Sequence, residues 1–250
     1  MGKLSNKVAV VTGASKGIGA AIAKQLAKDG ASVVVNYASS KQGADKVVAE
    51  IKAAGGNAVA IGGSVADNGQ TVKLFEEAKK TYGKIDILIN NAGVYAFVPL
   101  EEITAEEYAR QYNTNVLGLL QATREAVKHF PAEGGSVVNI SSIASTFAPP
   151  TTSIYSGTKG AVDTITKVLA KELAPKKIRV NAINPGYVVT EGTEKVGVTG
   201  SPQEEFFISI TPLGRAGQPE DIALPTAFLV SDDARWITGE IIKVGGGAGI

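Results

Sequence analysis

Tyr155 and Lys159 lie four residues apart in a stretch of helical apolar spacing, so their side chains share one helix face. A phenol has an ordinary pKa of about 10 and exchanges protons slowly near neutrality. An ammonium close to it favours the phenolate, and the pair is expected to act as a general acid/base tuned toward the working pH. Taken alone, such a spacing more often marks a solvated surface contact. What singles this one out is a second motif, the run Gly13-Ala14-Ser15-Lys16-Gly17-Ile18-Gly19 directly after the apolar Val8–Thr12. Between a strand and a helix, glycines allow a tight turn, close approach of backbone to a pyrophosphate, and helix–strand packing. The free N–H groups at the helix start then hold the phosphate charge.

The elements that must position these groups follow from the apolar pattern. Short runs rich in Val and Ile occur at Val8–Thr12, Ser32–Asn36, Ala58–Ile61, Ile85–Asn90, Ser136–Ile140, Ile178–Ile183 and Glu240–Val244. They lack polar alternation, as strands covered on both faces do. Amphipathic helical stretches separate them. The expected fold is therefore α/β, a doubly wound seven-stranded parallel sheet of Rossmann type with helices on both faces. No linker or change of composition divides the chain, and residues 1–250 read as one domain. The loop Ser141–Ser153, with Pro149 and Pro150, is expected to be non-helical. The Gly- and Thr-rich stretch at about 187–215 is expected to be a substrate lid, and Gly245–Gly249 a closing coil.

The glycine spacing is Gly-x-x-x-Gly-x-Gly, and further motifs fall in order along the chain. They are Asn90-Asn91-Ala92-Gly93, Asn115, Ser142, Tyr155-x-x-x-Lys159 and Asn184-Pro185-Gly186. In these the whole chain resembles the single-domain branch of the short-chain dehydrogenase/reductase superfamily. The resemblance implies that Tyr155 gives its proton to a substrate carbonyl oxygen while hydride arrives from a nicotinamide. It implies that Ser142 hydrogen-bonds the same oxygen, that Lys159 also holds the nicotinamide ribose, and that Asn115 anchors a proton-relaying water. The implied cofactor contacts are Gly13, Ser15, Lys16, Gly17, Ile18, Gly19, Asn36, Tyr37, Ser39, Ser64, Val65, Asn91, Ala92, Gly93, Tyr155, Lys159, Pro185, Gly186, Val188 and Thr190. Asn90 is implied to be partly structural.

Two departures from the family pattern bear on the cofactor. No acidic residue stands at the end of the second strand, where one would bind the ribose diol of NAD and repel a 2′-phosphate. Lys16, Ser39, Ser40 and Lys41 supply charge and hydroxyls there instead, so NADP(H) is expected over NAD(H), although the arginine many relatives carry near Tyr37 is missing. Where the family has Asp-Val after the third strand, this chain has Ser64-Val65, so a hydroxyl replaces the carboxylate that commonly meets the adenine amino group, and it too can accept a hydrogen bond.

Composition narrows the remaining choices. With 25 basic and 24 acidic residues the chain is nearly neutral, which argues against nucleic acid as the partner. Without cysteine there is no disulfide, thiolate metal site or cysteine nucleophile, and the single histidine, His129, reads as a helix-end residue; no metal is expected. The Val8–Val11 run is too short for a signal peptide and no stretch would cross a membrane, so a cytoplasmic protein is expected. Tyr95, Phe97, Ile143, Ala144, Phe147, Tyr187, Phe206 and Phe207 are expected to line an apolar substrate pocket suited to an uncharged carbonyl compound. Three readings compete: a reductase of small or medium ketones and aldehydes, a 3-oxoacyl-[acyl-carrier-protein] reductase, and a non-catalytic NADP(H)-sensing protein. The resemblance implies a homotetramer or homodimer, and the apolar faces at Val116–Leu120 and Val162–Leu169 fit such pairing.

Overall fold

The computed structural model describes residues 2–249. Seven strands form a parallel sheet: β1 (Val8–Val11), β2 (Ser32–Tyr37), β3 (Asn57–Gly62), β4 (Ile87–Asn90), β5 (Gly135–Ile140), β6 (Ile178–Pro185) and β7 (Ile241–Val244). Their order across the sheet is β3-β2-β1-β4-β5-β6-β7. The chain reverses direction of growth between β1 and β4, and in an open parallel sheet the crevice at that switch, at the carboxyl ends of the strands, is where ligands bind.

Side-chain alternation along the strands divides the core in two. Ala9, Val11, Val33, Val35, Ile87 and Ile89 face one layer, built by α1 (Gly17–Lys28), α2 (Lys41–Ala53) and a late helix over residues 219–230. Val10, Val34, Leu88, Val137 and Val180 face the other. That layer is built by α3 (Asn68–Tyr82), then α4 (Ala105–Tyr112) and α5 (Gly118–Val127) joined by a π turn, and by a long helix over 153–173. Both faces of the sheet are thus dry, which is why the strand runs lack polar alternation. Local signals set the helix ends: Asp67 caps α3 through the Gln70 N–H, and Gly83 closes it at φ +80°.

One expectation is corrected. The segment before Pro149 is not all coil, because α6 (Ala144–Phe147) forms one helical turn there. The prolines prevent helix only beyond it, and Ala148 turns the chain at φ +46° before α7 (Ser153–Leu173) begins. The stretch expected to be a lid carries α8 (Glu191–Lys195) and α9 (Pro202–Ser209), and precedes α10 (Pro219–Val230). Its two ends are joined by a backbone bridge between Val188 and Gly217, with Gly217 N–H to Tyr187 O at 2.9 Å and Val189 N–H to Gly217 O at 3.0 Å. No helix among the described residues is long and apolar enough to cross a membrane.

Candidate active site

The turn after β1 is held against the loop after β4 by one hydroxyl. Thr12 Oγ1 accepts from the N–H groups of Asn91 and Ala92, both at 3.0 Å, and donates to Ile89 O at 3.2 Å. Asn91 returns the contact through Nδ2 to the carbonyls of Thr12 (2.9 Å) and Gly13 (3.0 Å). This closeness explains two glycines. A Cβ on Gly13, at φ +62°, would come within 2.8 Å of Ala92 Cα, and one on Gly19 within 2.4 Å of Asn91 Nδ2. Lys16 stands at the start of α1 with no side-chain cap, and the Gly17 N–H donates to the Glu191 carboxylate at 2.9 Å. A carboxylate on that donor is a protein-borne stand-in for a phosphate, so the turn fits the anionic part of a dinucleotide. Ser15 is half-buried beside it, and Ile18 lines the adjoining cleft.

Around β2 the expected contacts divide. Asn36 is buried, and its amide ties three strand ends together, donating to Ile61 O (3.2 Å) and Gly63 O (2.9 Å) and accepting from Gly13 N–H (3.3 Å). Its side chain thus serves as scaffold for the strand ends. Val65 is likewise buried, against Gly118, with its carbonyl held by Thr71 and Gln121. Tyr37 lies over Gly62. Ser39 and Lys41 are exposed, the latter paired with Asp45 at 2.7 Å. Ser64 is half-buried, its N–H on the Gln70 amide oxygen. Nothing acidic stands at the end of β2.

On α7 the four-residue spacing places Tyr155 and Lys159 on one face, beneath the end of β5, and both line the same cleft as Ser142. The Tyr155 ring is partly covered, and enclosure of its hydroxyl among the cleft walls pushes the phenol up to about 12. The nearby Ser142 hydroxyl acts in the opposite sense, and the neighbouring Tyr95 adds to the rise. The expected lowering by Lys159 is not what this geometry gives. The ammonium lies 5.6 Å from the centre of the tyrosine ring and donates instead to Ile140 O at 2.9 Å. Burial pushes Lys159 itself down to about 8, against an opposing pull from Asp163. Tyr155 near neutrality is accordingly a proton-bearing phenol, the form required of an acid. Ser142 Oγ accepts from the Ala144 N–H at 3.1 Å, which fixes it at the start of α6.

Asn115 sits in the π turn Asn113–Leu117, a distortion often found at functional sites. Its amide donates to Val94 O (2.8 Å) and Thr158 Oγ1 (3.1 Å) and accepts from Val94 N–H (2.8 Å). The side chain thus clamps the loop after β4 to α7, and both its N–H donors are engaged by protein. Gly93 lies against this clamp, with Asn115 Oδ1 and Lys159 Nζ at 3.4 and 3.8 Å from where a Cβ would be. Asn90, buried, donates to Thr123 and Asn139 and is structural. His129 lies just past α5, its carbonyl accepting from Ile85.

The cleft encloses about 280 Å³. Tyr95, Phe97, Ile143, Ala144, Phe147, Tyr187 and Phe207 line it as expected, together with Asn91, Gly93, Pro185, Gly186, Val188 and Thr190. Phe206 does not: it is 52% exposed on the outer side of α9. The weak helical periodicity of the lid gave no means of telling Phe206 from Phe207, which stacks on Tyr187 at 5.3 Å. Thr193 and Val198, within the 188–210 stretch expected to contribute, join the lining, and sequence reasoning missed Ala248, which joins it through the C-terminal turn. Gly186 is required because a Cβ there would lie 2.7 Å from Gly245 Cα. Thr190 caps α8 through the Thr193 N–H. The Tyr95 hydroxyl is enclosed with no hydrogen-bond partner, and its ring meets Tyr155 edge-on at 5.9 Å.

The comparisons with known proteins agree with this arrangement. A family model described as enoyl-(acyl carrier protein) reductase matches residues 13–249. An uncharacterized oxidoreductase of Methylorubrum extorquens is 60% identical over 247 residues, 99% of this chain and 99% of that one. Versicolorin reductase of Emericella nidulans is 41% identical over 255 residues, 98% of this chain and 97% of its own. An angucycline C-6 ketoreductase solved with bound NADP has a TM-score of 0.93 at 35% identity, covering 99% of this chain and 97% of that structure. Likeness of this extent, in a chain whose parallel sheet delivers a serine, a tyrosine and a lysine to one cleft, means that the protein belongs to the short-chain dehydrogenase/reductase superfamily and is an NAD(P)-dependent oxidoreductase.

Proposed function

We propose that the protein is an NADP(H)-preferring reductase of small or medium ketones and aldehydes, working reversibly on the corresponding alcohols. The observation that carries this reading is that Ser142, Tyr155 and Lys159 line one apolar cleft at the carboxyl ends of the strands. A substrate oxygen placed between the two hydroxyls receives a hydrogen bond from Ser142 and the proton of Tyr155, so charge developing on it is neutralised where it forms. The nicotinamide, when bound, supplies or accepts the hydride. Pro185, Gly186, Val188 and Thr190 would hold its ring end, and the N–H groups of the β1–α1 turn its phosphates. Lys159, kept beside the tyrosine by Ile140 O, supplies positive charge and donors next to the ribose position. The preference for the 2′-phosphate rests on the missing acid after β2 and on Lys16, which makes no ion pair among the described residues.

A second reading, reduction of a carrier-bound 3-oxoacyl thioester, is favoured by the acyl-carrier description of the matching family model. The test is NADPH and NADH consumption with a panel of ketones and with an acetoacetyl thioester. Turnover of simple ketones supports the first reading, thioester-only turnover the second, and binding without turnover a sensor. Tyr155→Phe is expected to lower kcat by about 10²–10⁴-fold with NADPH affinity kept. A variant with undiminished rate refutes the assignment. We also infer self-association through the helix faces that leave Leu117, Leu120 and Val168 exposed; light scattering showing only a 25.7 kDa species refutes it.

A further inference from the structure

We propose that Glu191 is a positioning residue that competes with the cofactor's phosphate for the start of α1 and thereby ties cofactor exchange to the position of the lid. This rests on the reading of the β1–α1 turn as the phosphate seat. The Gly17 N–H, one of the helix-start donors that no intrahelical acceptor satisfies, donates to the Glu191 carboxylate at 2.9 Å. The contact joins residues that are far apart in sequence, and it is reinforced by packing. The place where Gly17 would carry a Cβ is flanked by Thr190 Cβ and Cγ2, both at 3.4 Å. The first turn of α8 therefore sits on the glycine turn itself.

The same docking closes part of the cleft. Gly192, next along α8, lies with its Cβ position 3.6 Å from the Tyr95 hydroxyl, the enclosed group that has no hydrogen-bond partner. Two anions do not share one N–H donor, so a phosphate that takes the Gly17 N–H must displace the Glu191 carboxylate. Repulsion between the two charges then drives the start of α8 away from the turn. Because α8 is only five residues long and its cap is a threonine pair, Thr190 with Thr193, it moves without disturbing the sheet. Loss of the carboxylate should therefore free the lid and remove the competition at the same time.

The decisive variants are Glu191→Ala and Glu191→Gln, with Glu194→Ala as control, since Glu194 is an exposed acid of the same helix without a contact to Gly17. Three readouts are used: the NADPH dissociation constant from nucleotide fluorescence, the NADPH association rate by stopped flow, and the rate of tryptic cleavage after Lys195 in protein without nucleotide. The expected result is NADPH binding about two- to fivefold tighter in both Glu191 variants, the range an acid contributes at a helix N-terminus, and unchanged in Glu194→Ala. Cleavage after Lys195 should be faster in the Glu191 variants, and inorganic pyrophosphate should speed it in the wild-type protein alone. Equal tightening in Glu194→Ala, or affinity and cleavage unchanged in both Glu191 variants, overturns the proposal while leaving the cofactor reading intact. Failure of every protein to bind NADPH overturns both.

Discussion

Replacing Lys159 with methionine should make the protein more stable and inactive at once. Lys159 is 6% exposed, and its pKa falls from 10.5 to about 8 on burial. At about 1.4 kcal/mol per tenfold change in proton affinity, the charged form costs the folded state about 3 kcal/mol. A methionine of similar length keeps the stem packing and removes that cost, but it gives up the hydrogen bond to Ile140 O, about 1 kcal/mol. The net gain near neutrality is about 2 kcal/mol, a case of stability conceded to function. The sign with pH is fixed. Below the folded pKa of about 8 the cost is present in full. Between there and 10.5 the unfolded chain holds a proton that the folded one has lost, so the wild-type protein gains relative stability as pH rises. Urea denaturation of both proteins near neutral pH and again at about pH 10 measures this. The methionine variant should lead in the first condition and lose its lead in the second. A variant that is less stable near neutrality, by an amount that does not change with pH, refutes the reasoning.

Thr12→Val should lower stability by about 2 kcal/mol, measured by the same denaturation, because it strips an acceptor from the N–H groups of Asn91 and Ala92; a loss below about 0.5 kcal/mol would show the clamp to be redundant. Lys16→Ala should reduce kcat/KM for NADPH about tenfold, as befits a charge-assisted hydrogen bond, and leave NADH within about twofold; equal losses with both would mean the lysine does not meet the 2′-phosphate. Tyr95→Phe should be neutral or slightly stabilising in thermal melts, since the lost hydroxyl has no partner; clear destabilisation would reveal a partner.

The sheet was legible because strands covered on both faces carry continuous Val and Ile, and every expected strand run overlaps one of the observed strands. The helix that carries Tyr155 and Lys159 was legible for a similar reason, since a four-residue spacing fixes a common face whatever surrounds it. The proton affinity of Tyr155 was not. Spacing places Lys159 near the tyrosine, but it does not say that Ile140 O takes the ammonium or that enclosure outweighs charge. Asn36 shows the same limit. An asparagine at a strand end is equally able to meet a ligand or to bind carbonyls, and only the meeting of β1, β2 and β3 decides between them. In the lid, where two adjacent phenylalanines look inward and outward, the distinction lies in the tertiary placement of α9 and leaves no periodic trace.

The backbone bridge between Val188 and Gly217 has an evolutionary consequence. Everything between these residues leaves from and returns to a single fixed point, so the closure entropy of the excursion depends only weakly on its length, about 0.6 kcal/mol for each doubling. Residues can be added to or removed from α8, α9 and their connections with little effect on the strands or on the helix that bears the tyrosine. Descendants of this chain are therefore free to reshape one wall of the cleft by lengthening or trimming one stretch, while inheriting Ser142, Tyr155 and Lys159 in place.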